Sequence, residues 1–118
     1  MSIDYVHNAK ALKSLRNWSA TNLPLYGSFI GYDLAIQILE CSSREHGSSL
    51  KEIYYSMAHS EPQLRRKLRS FEADGWIQIT KSICDQRNSL VEPTEKMLGA
   101  YDQYFRLIAE LCTQMTIK

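Results

Sequence analysis

The stretch SEPQLRRKLRSFEADGWIQITKSICDQRNSLVEPT, Ser60 to Thr94, decides the fold of this chain. It reads as helix, strand, tip, strand. Ser60 is placed as an N-cap, Gln63 three residues on completes a capping box, and Pro62 sits in the first turn, where its missing N–H costs little. Leu64, Leu68 and Phe71 fall in one narrow sector of a wheel drawn at helical pitch, so they must face a core. Gly75 suits the position just past a helix end. Trp76-Ile77-Gln78-Ile79-Thr80 alternates as a half-buried strand does, with Ile77 and Ile79 on one face. Ser82 to Ser89 is polar and holds the hairpin tip. Ser89 to Glu92 is the return strand, stopped by Pro93, and Thr94 caps a helix running to about Thr116.

Working outward, Ser49-Leu50-Lys51-Glu52 opens another helix with the S-x-x-E capping pattern. Leu50, Ile53, Tyr54 and Met57 make its buried stripe, and it stops near Ala58-His59. The two capped starts, Ser49 and Ser60, are 11 residues apart. That leaves only a tight turn between the helices, the spacing of a helix-turn-helix. Before it, Ser28 to about Arg44 is apolar over more than one face, through Phe29, Tyr32, Leu34, Ala35, Ile36, Ile38 and Leu39, which marks a central core helix. His46-Gly47 ends it. The first helix, Ile3 to Trp18, carries Val6, Ala9, Leu12 or Ala11, Leu15 and Trp18 at helical spacing. NLPLYG, Asn22 to Gly27, breaks it.

The bulk properties exclude several function classes. At 118 residues, 44% apolar and 23% charged, the chain is one globular domain with a real core. A net charge of +1 is not that of a protein that coats nucleic acid, so any such contact must come from a local patch. Cys41, Cys84 and Cys112 form no CxxC pair and no zinc-ligand spacing, and read as reduced thiols of a cytoplasmic protein. The N-terminus lacks a signal-peptide pattern. No apolar run approaches the roughly 20 residues of a membrane span. No nucleophile motif, phosphate loop or carboxylate pair is present, and His7, His46 and His59 are scattered. The expectation is a soluble non-enzyme with no cofactor and no metal.

The helix after Ser60 turns Gln63, Arg66, Arg69 and Ser70 away from its apolar sector, with Arg65 and Lys67 on the flanks. Arginine and glutamine match guanine and adenine edges in the major groove. Lysine and flanking arginine suit phosphates. Ser60 and Gln63 lie in the first turn, which reaches deepest in a recognition helix. Near the tip stand Lys81, Asp85 and Arg87. An arginine on a projecting loop can enter a narrow minor groove, with Asp85 two residues away to hold it extended. The plainer reading is a solvated basic face beside Glu72 and Asp74 and a loop ion pair of little weight. The helix-turn-helix before and the hairpin after favour a double-stranded DNA surface.

From Leu50 to Leu98 the sequence resembles the DNA-binding region of MarR-family regulators. There a helix-turn-helix leads to a leucine-rich segment ending in glycine, two strands with an Asp-x-Arg wing, and a threonine opening the next helix. Here the matching pieces are LRRKLRSFEADGWI, DQR (Asp85 to Arg87) and LVEPTEKM (Leu90 to Met97). Pro93 and Met97 stand where the family commonly has leucine and glycine. The resemblance implies that Arg87 is the wing arginine, Asp85 its partner, and Ser60 to Arg69 the groove-reading segment.

The last helix carries Met97, Tyr101, Tyr104, Ile108, Leu111 and Met115 at alternating steps of four and three. Leu98, Phe105, Leu107 and Cys112 widen that stripe beyond what one small domain covers from one side. With Leu12 and Leu15 of the first helix, this surface points to a homodimer. The expected architecture is mainly α with a small β-hairpin wing. A winged helix-turn-helix spans residues 1–118, with 28–93 as DNA-binding core and 1–20 and 94–118 as dimerisation helices. The expected function is sequence-specific, double-stranded DNA-binding transcriptional regulation. The alternative is a winged-helix protein-interaction module with no operator of its own. Tyr26, Phe29, Tyr32, Tyr101, Tyr104 and Phe105 are candidates to hold the small aromatic effector that the resemblance implies, and Cys84 is a candidate oxidant sensor only if Lys81 and Arg87 lower its pKa.

Overall fold

The computed structural model describes residues 2–25, 27–42, 48–81 and 89–115. The tip residues Asp85 and Arg87, with Cys84, Tyr26, His46 and Gly47, lie outside the described residues. The element order is α1 (Tyr5–Asn22), α2 (Phe29–Glu40), β1 (Ser48–Ser49), α3 (Leu50–Ser56), α4 (Glu61–Ala73), β2 (Ile77–Thr80), β3 (Leu90–Pro93) and α5 (Glu95–Gln114). The chain divides into two compact units: Pro24–Leu98, and the segments Met1–Leu23 and Gly99–Lys118.

In the unit Pro24–Leu98 the core is contributed by every element. Leu34, Ala35 and Ile38 of α2, Ile53 of α3, Leu64, Leu68 and Phe71 of α4, Ile77 of β2, Val91 of β3 and Met97 of α5 are all buried. Removing each of the larger of these side chains from water contributes about 1.5–3 kcal/mol. Gly31 in α2 is required by a close approach: an added Cβ would lie 2.5 Å from the Leu25 carbonyl oxygen.

The sheet has three strands in the order β1-β3-β2, all antiparallel. The third strand, Ser48–Ser49, pairs with Val91 and Leu90. Two serines carry no alternation, so the sequence pattern holds no sign of it. Pro93 belongs to β3, opposite Ile77, rather than ending the strand before itself. Among the described residues β1 reaches only Leu90 and Val91, and Pro93 pairs with Ile77 alone, where a strand tolerates a residue with no N–H to donate.

The second unit holds α1 and α5 from Gly99 onward. Trp18 stacks on Tyr104 with ring centroids 5.9 Å apart and planes 12° from parallel. Tyr101 meets Tyr104 edge-on at 5.9 Å. The ring nitrogen Nε2 of His7 lies 2.6 Å from the Gln114 carbonyl oxygen, and the Asp4 side chain caps α1 by accepting from the His7 N–H. Ala11, Ser19, Leu23, Tyr101 and Leu111 are buried. The inward side of α1 is therefore centred on Ala11, Leu15 and Trp18. The stacked Trp18 ring fixes that side, and Val6 falls opposite it on the wheel.

Three residues of the expected partner surface face inward. Met97, Tyr101 and Leu111 are buried by their own chain and have no area left for a second subunit. Leu15, Tyr104, Ile108 and Met115 are half-buried. The exposed apolar side chains on α1 and α5 are instead Tyr5, Val6, Leu12, Leu98 and Phe105. No helix among the described residues is long and apolar enough to cross a membrane.

Candidate nucleic-acid interface

Helix α4 owes its start and stop to local sequence. The Gln63 N–H donates to Ser60 Oγ at 3.4 Å, and the Ser60 N–H donates to Gln63 Oε1 at 3.4 Å. This is the expected capping box. Its consequence is that both polar groups expected to read bases from the first turn are engaged by the helix end.

At the other end Gly75 adopts φ +81°, a left-handed conformation that glycine takes without a Cβ penalty. The Trp76 N–H donates to the Phe71 carbonyl at 2.9 Å and the Gly75 N–H to the Glu72 carbonyl at 3.1 Å. This pair is the Schellman arrangement that satisfies terminal carbonyls.

The stop is reinforced from α5. Thr94 Oγ1 lies 2.7 Å from the Gly75 carbonyl and 3.0 Å from that of Trp76, and Lys96 Nζ donates to the Asp74 carbonyl at 2.7 Å. The same ammonium sits 4.3 Å from the centre of a Trp76 ring, within cation–π range.

Helix α3 is set by Ser49, whose Oγ accepts from the Glu52 N–H at 3.1 Å. The Leu50 N–H donates to the Ser89 carbonyl at 2.9 Å, tying the start of α3 to the sheet. The turn to α4 is held from α2, where Asp33 Oδ2 lies 2.8 Å from His59 Nε2. Sequence spacing alone could not bring together two residues 26 positions apart.

With Leu64, Leu68 and Phe71 inward, the outward face of α4 has four cations, Arg65, Arg66, Lys67 and Arg69, against two carboxylates, Glu61 and Glu72. They are not equivalent. Arg65 Nη2 donates to Glu61 Oε1 at 3.0 Å. Hydrogen bonding to Tyr54, and then its charge and that of Glu61, hold the Arg65 guanidinium above its ordinary pKa. Lys67 is half-buried. Ser70 Oγ donates back to the Arg66 carbonyl at 3.3 Å, so its hydroxyl serves the helix. Arg66 and Arg69 are exposed and have no side-chain partner among the described residues.

A groove of about 550 Å³ runs between α3, α4 and the sheet. Arg65 and Arg69 from α4 and Lys81 from just past β2 line it, together with Glu61, Glu72 and Tyr54. The structure thus brings three expected cations to one groove and adds Tyr54 and Glu61. Neither addition was expected, because a tyrosine on a buried stripe and an acid in a first helical turn look like packing and capping. No cluster that could hold a metal ion occurs among the described residues.

A helix-turn-helix with a basic outward face on its second helix, followed by two antiparallel strands, the second of which pairs with a short strand before the helices, defines a winged helix-turn-helix. No family model matches the sequence, and no curated protein does. Solved structures do match. A cysteine variant of E. coli MarR complexed with operator DNA is 19% identical, covers 95% of this chain and 79% of that one, and superposes with a TM-score of 0.60. A glycine variant of S. aureus MepR is 11% identical over 96% of this chain and 81% of that one, TM-score 0.62. BpsR of Bordetella bronchiseptica, whose DNA binding is regulated by 6-hydroxynicotinic acid, is 11% identical over 89% and 73%, TM-score 0.55. The chain therefore has the MarR-type winged-helix fold.

Proposed function

We propose that this protein is a DNA-binding transcriptional regulator that engages double-stranded DNA with α4 in the major groove. The observation that carries the reading is the outward pair Arg66 and Arg69 on a helix whose other side is locked into the core, beside a groove that also collects Lys81. The fold shared with a DNA-bound regulator supports it. Arg66 and Arg69 supply base and phosphate contacts, Lys81 a phosphate contact, and Lys67 flanks them. Asp85 and Arg87 remain in the proposal as the minor-groove contact of the wing.

The proposal includes a homodimer, because two recognition helices one helical turn apart read a two-fold symmetric site. Leu12, 56% exposed, and Phe105, 57% exposed, are apolar side chains that a second copy would cover. It also includes a small aromatic effector, for which Trp18, Tyr104 and the exposed Phe105 offer stacking faces.

The test is selection of bound duplexes from a random-sequence library, followed by titration against salt. A two-fold symmetric consensus is expected. Arg66→Ala should relax one position by about 1–3 kcal/mol. Lys81→Ala should weaken all sequences alike and reduce the salt slope by about one. Absence of any enriched sequence, with binding insensitive to salt, would leave the protein-interaction module as the reading.

A further inference from the structure

The Glu61–Arg65 pair stands at the start of the helix proposed to enter the groove, yet it suits neither of the jobs usually given to charges there. Glu61 is the first residue of α4. Its carboxylate accepts from Arg65 Nη2 at 3.0 Å, and its side chain keeps 33% of its surface accessible. Tyr54 of α3 lines the same groove as Arg65. Glu61 and Tyr54 together line both the groove of about 550 Å³ and a smaller cleft of about 90 Å³ beside it. A simple phosphate contact would use a cation alone, as Arg66 and Arg69 are placed to do. A pair of opposite charges has no net attraction for the phosphate backbone, and its carboxylate is repelled by it.

What such a pair can match is a surface presenting an acceptor edge and a donor side by side. The major-groove edge of a guanine–cytosine pair does this, with guanine O6 and N7 as adjacent acceptors and the cytosine N4 amino group as donor next to them. A forked guanidinium takes the two acceptors, and a carboxylate takes the amino hydrogen. The adenine–thymine pair breaks the order. Its acceptors flank the adenine amino group, so one fork cannot take both, and thymine adds a methyl group. The bond to Glu61 fixes the guanidinium in advance, which lowers the ordering cost of binding.

We propose that Glu61 and Arg65 read one guanine–cytosine pair per half-site as a unit, with Glu61 as the specificity-determining acceptor and Tyr54 as a positioning residue. This rests on the DNA-binding reading above. It moves Arg65 from a phosphate role to base recognition and gives Glu61 a role beyond favouring the helix N-terminus.

The experiment is library selection with the full chain and two variants, Glu61→Gln and Tyr54→Phe, at one fixed salt concentration, with thermal melts to confirm folding. The parent should enrich a consensus holding a guanine–cytosine pair at a fixed place in each half-site. Glu61→Gln should lose roughly ten-fold discrimination at that place alone, and should bind random duplex with a salt slope steeper by about one. Tyr54→Phe should weaken the same preference by a smaller factor, with unchanged binding to random duplex. Arg65→Met, scored in the same way, substitutes for either variant that fails to fold. Unchanged discrimination at every position in the folded variants would overturn the proposal while leaving DNA binding intact. No consensus from the parent chain would overturn the DNA-binding reading and this proposal with it.

Discussion

Helix α4 and helix α1 both carry apolar residues at helical spacing, and their own chain treats them differently. In α4 the apolar sector and the buried side coincide: Leu64, Leu68 and Phe71 are fully inside and the charged residues are outside. In α1 they do not coincide. Ala11 and Ser19 are buried, while Val6 stays 68% exposed and Leu12 56%. The unit Pro24–Leu98 closes its core with its own residues. Apolar side chains stay in water in both units, Phe29 at 82% and Tyr55 at 72% in Pro24–Leu98 and Tyr5 at 75% and Val6 at 68% in the other, so the difference lies between the two helices and not between the two units.

The comparison breaks most readily at Phe71. If the winged unit is self-sufficient, Phe71→Ala opens a cavity beneath α4 and costs about 3–5 kcal/mol in denaturant unfolding. A cost under 1 kcal/mol would show that α4 is not held by that core. The complementary test is Leu12→Glu. It should leave the unfolding midpoint of the isolated chain nearly unchanged while weakening self-association at least about ten-fold by sedimentation, since truncating or charging a buried anchor costs on the order of 2 kcal/mol. A variant that sediments as the parent does would remove Leu12 from the proposed seam. Smaller still, Ser60→Ala removes the cap at the N-terminal end of α4 and should cost about 1 kcal/mol. At the low end, Arg106→Ala breaks an exposed pair with Asp102, 3.1 Å apart on α5, and should change stability by less than about 0.5 kcal/mol.

The parts of this molecule legible in its sequence are those governed by local chemistry. The capping residues Ser49, Ser60 and Thr94, the glycine stop at Gly75 and the core triplet Leu64, Leu68, Phe71 each follow from contacts within a few residues. Illegible were the features decided by distant partners. The two-residue strand β1 exists because β3 presents an edge to it. The inward side of α1 is chosen by the stacking of Trp18 on Tyr104, not by counting apolar letters. On α5 the share of the apolar stripe taken up by the chain itself, at Met97, Tyr101 and Leu111, is likewise set by distant residues. At the candidate interface the outward cations were legible as a set. Which of them are already engaged was not, because the surroundings of Arg65 include Tyr54 from another helix.

The two ends of α4 are fastened unequally. At the C-terminal end, carbonyls are tied by the Gly75 turn and again by Thr94 and Lys96. At the N-terminal end two reciprocal bonds of 3.4 Å between Ser60 and Gln63 are joined by the Glu61–Arg65 pair and, one residue before the cap, by His59 on Asp33. Thermal opening will therefore start at Glu61 and run toward Phe71, and amide exchange should be fastest in the first turn. The helix is a cantilever, rigid at its root, and its freedom to adjust lies at the tip that would enter the groove.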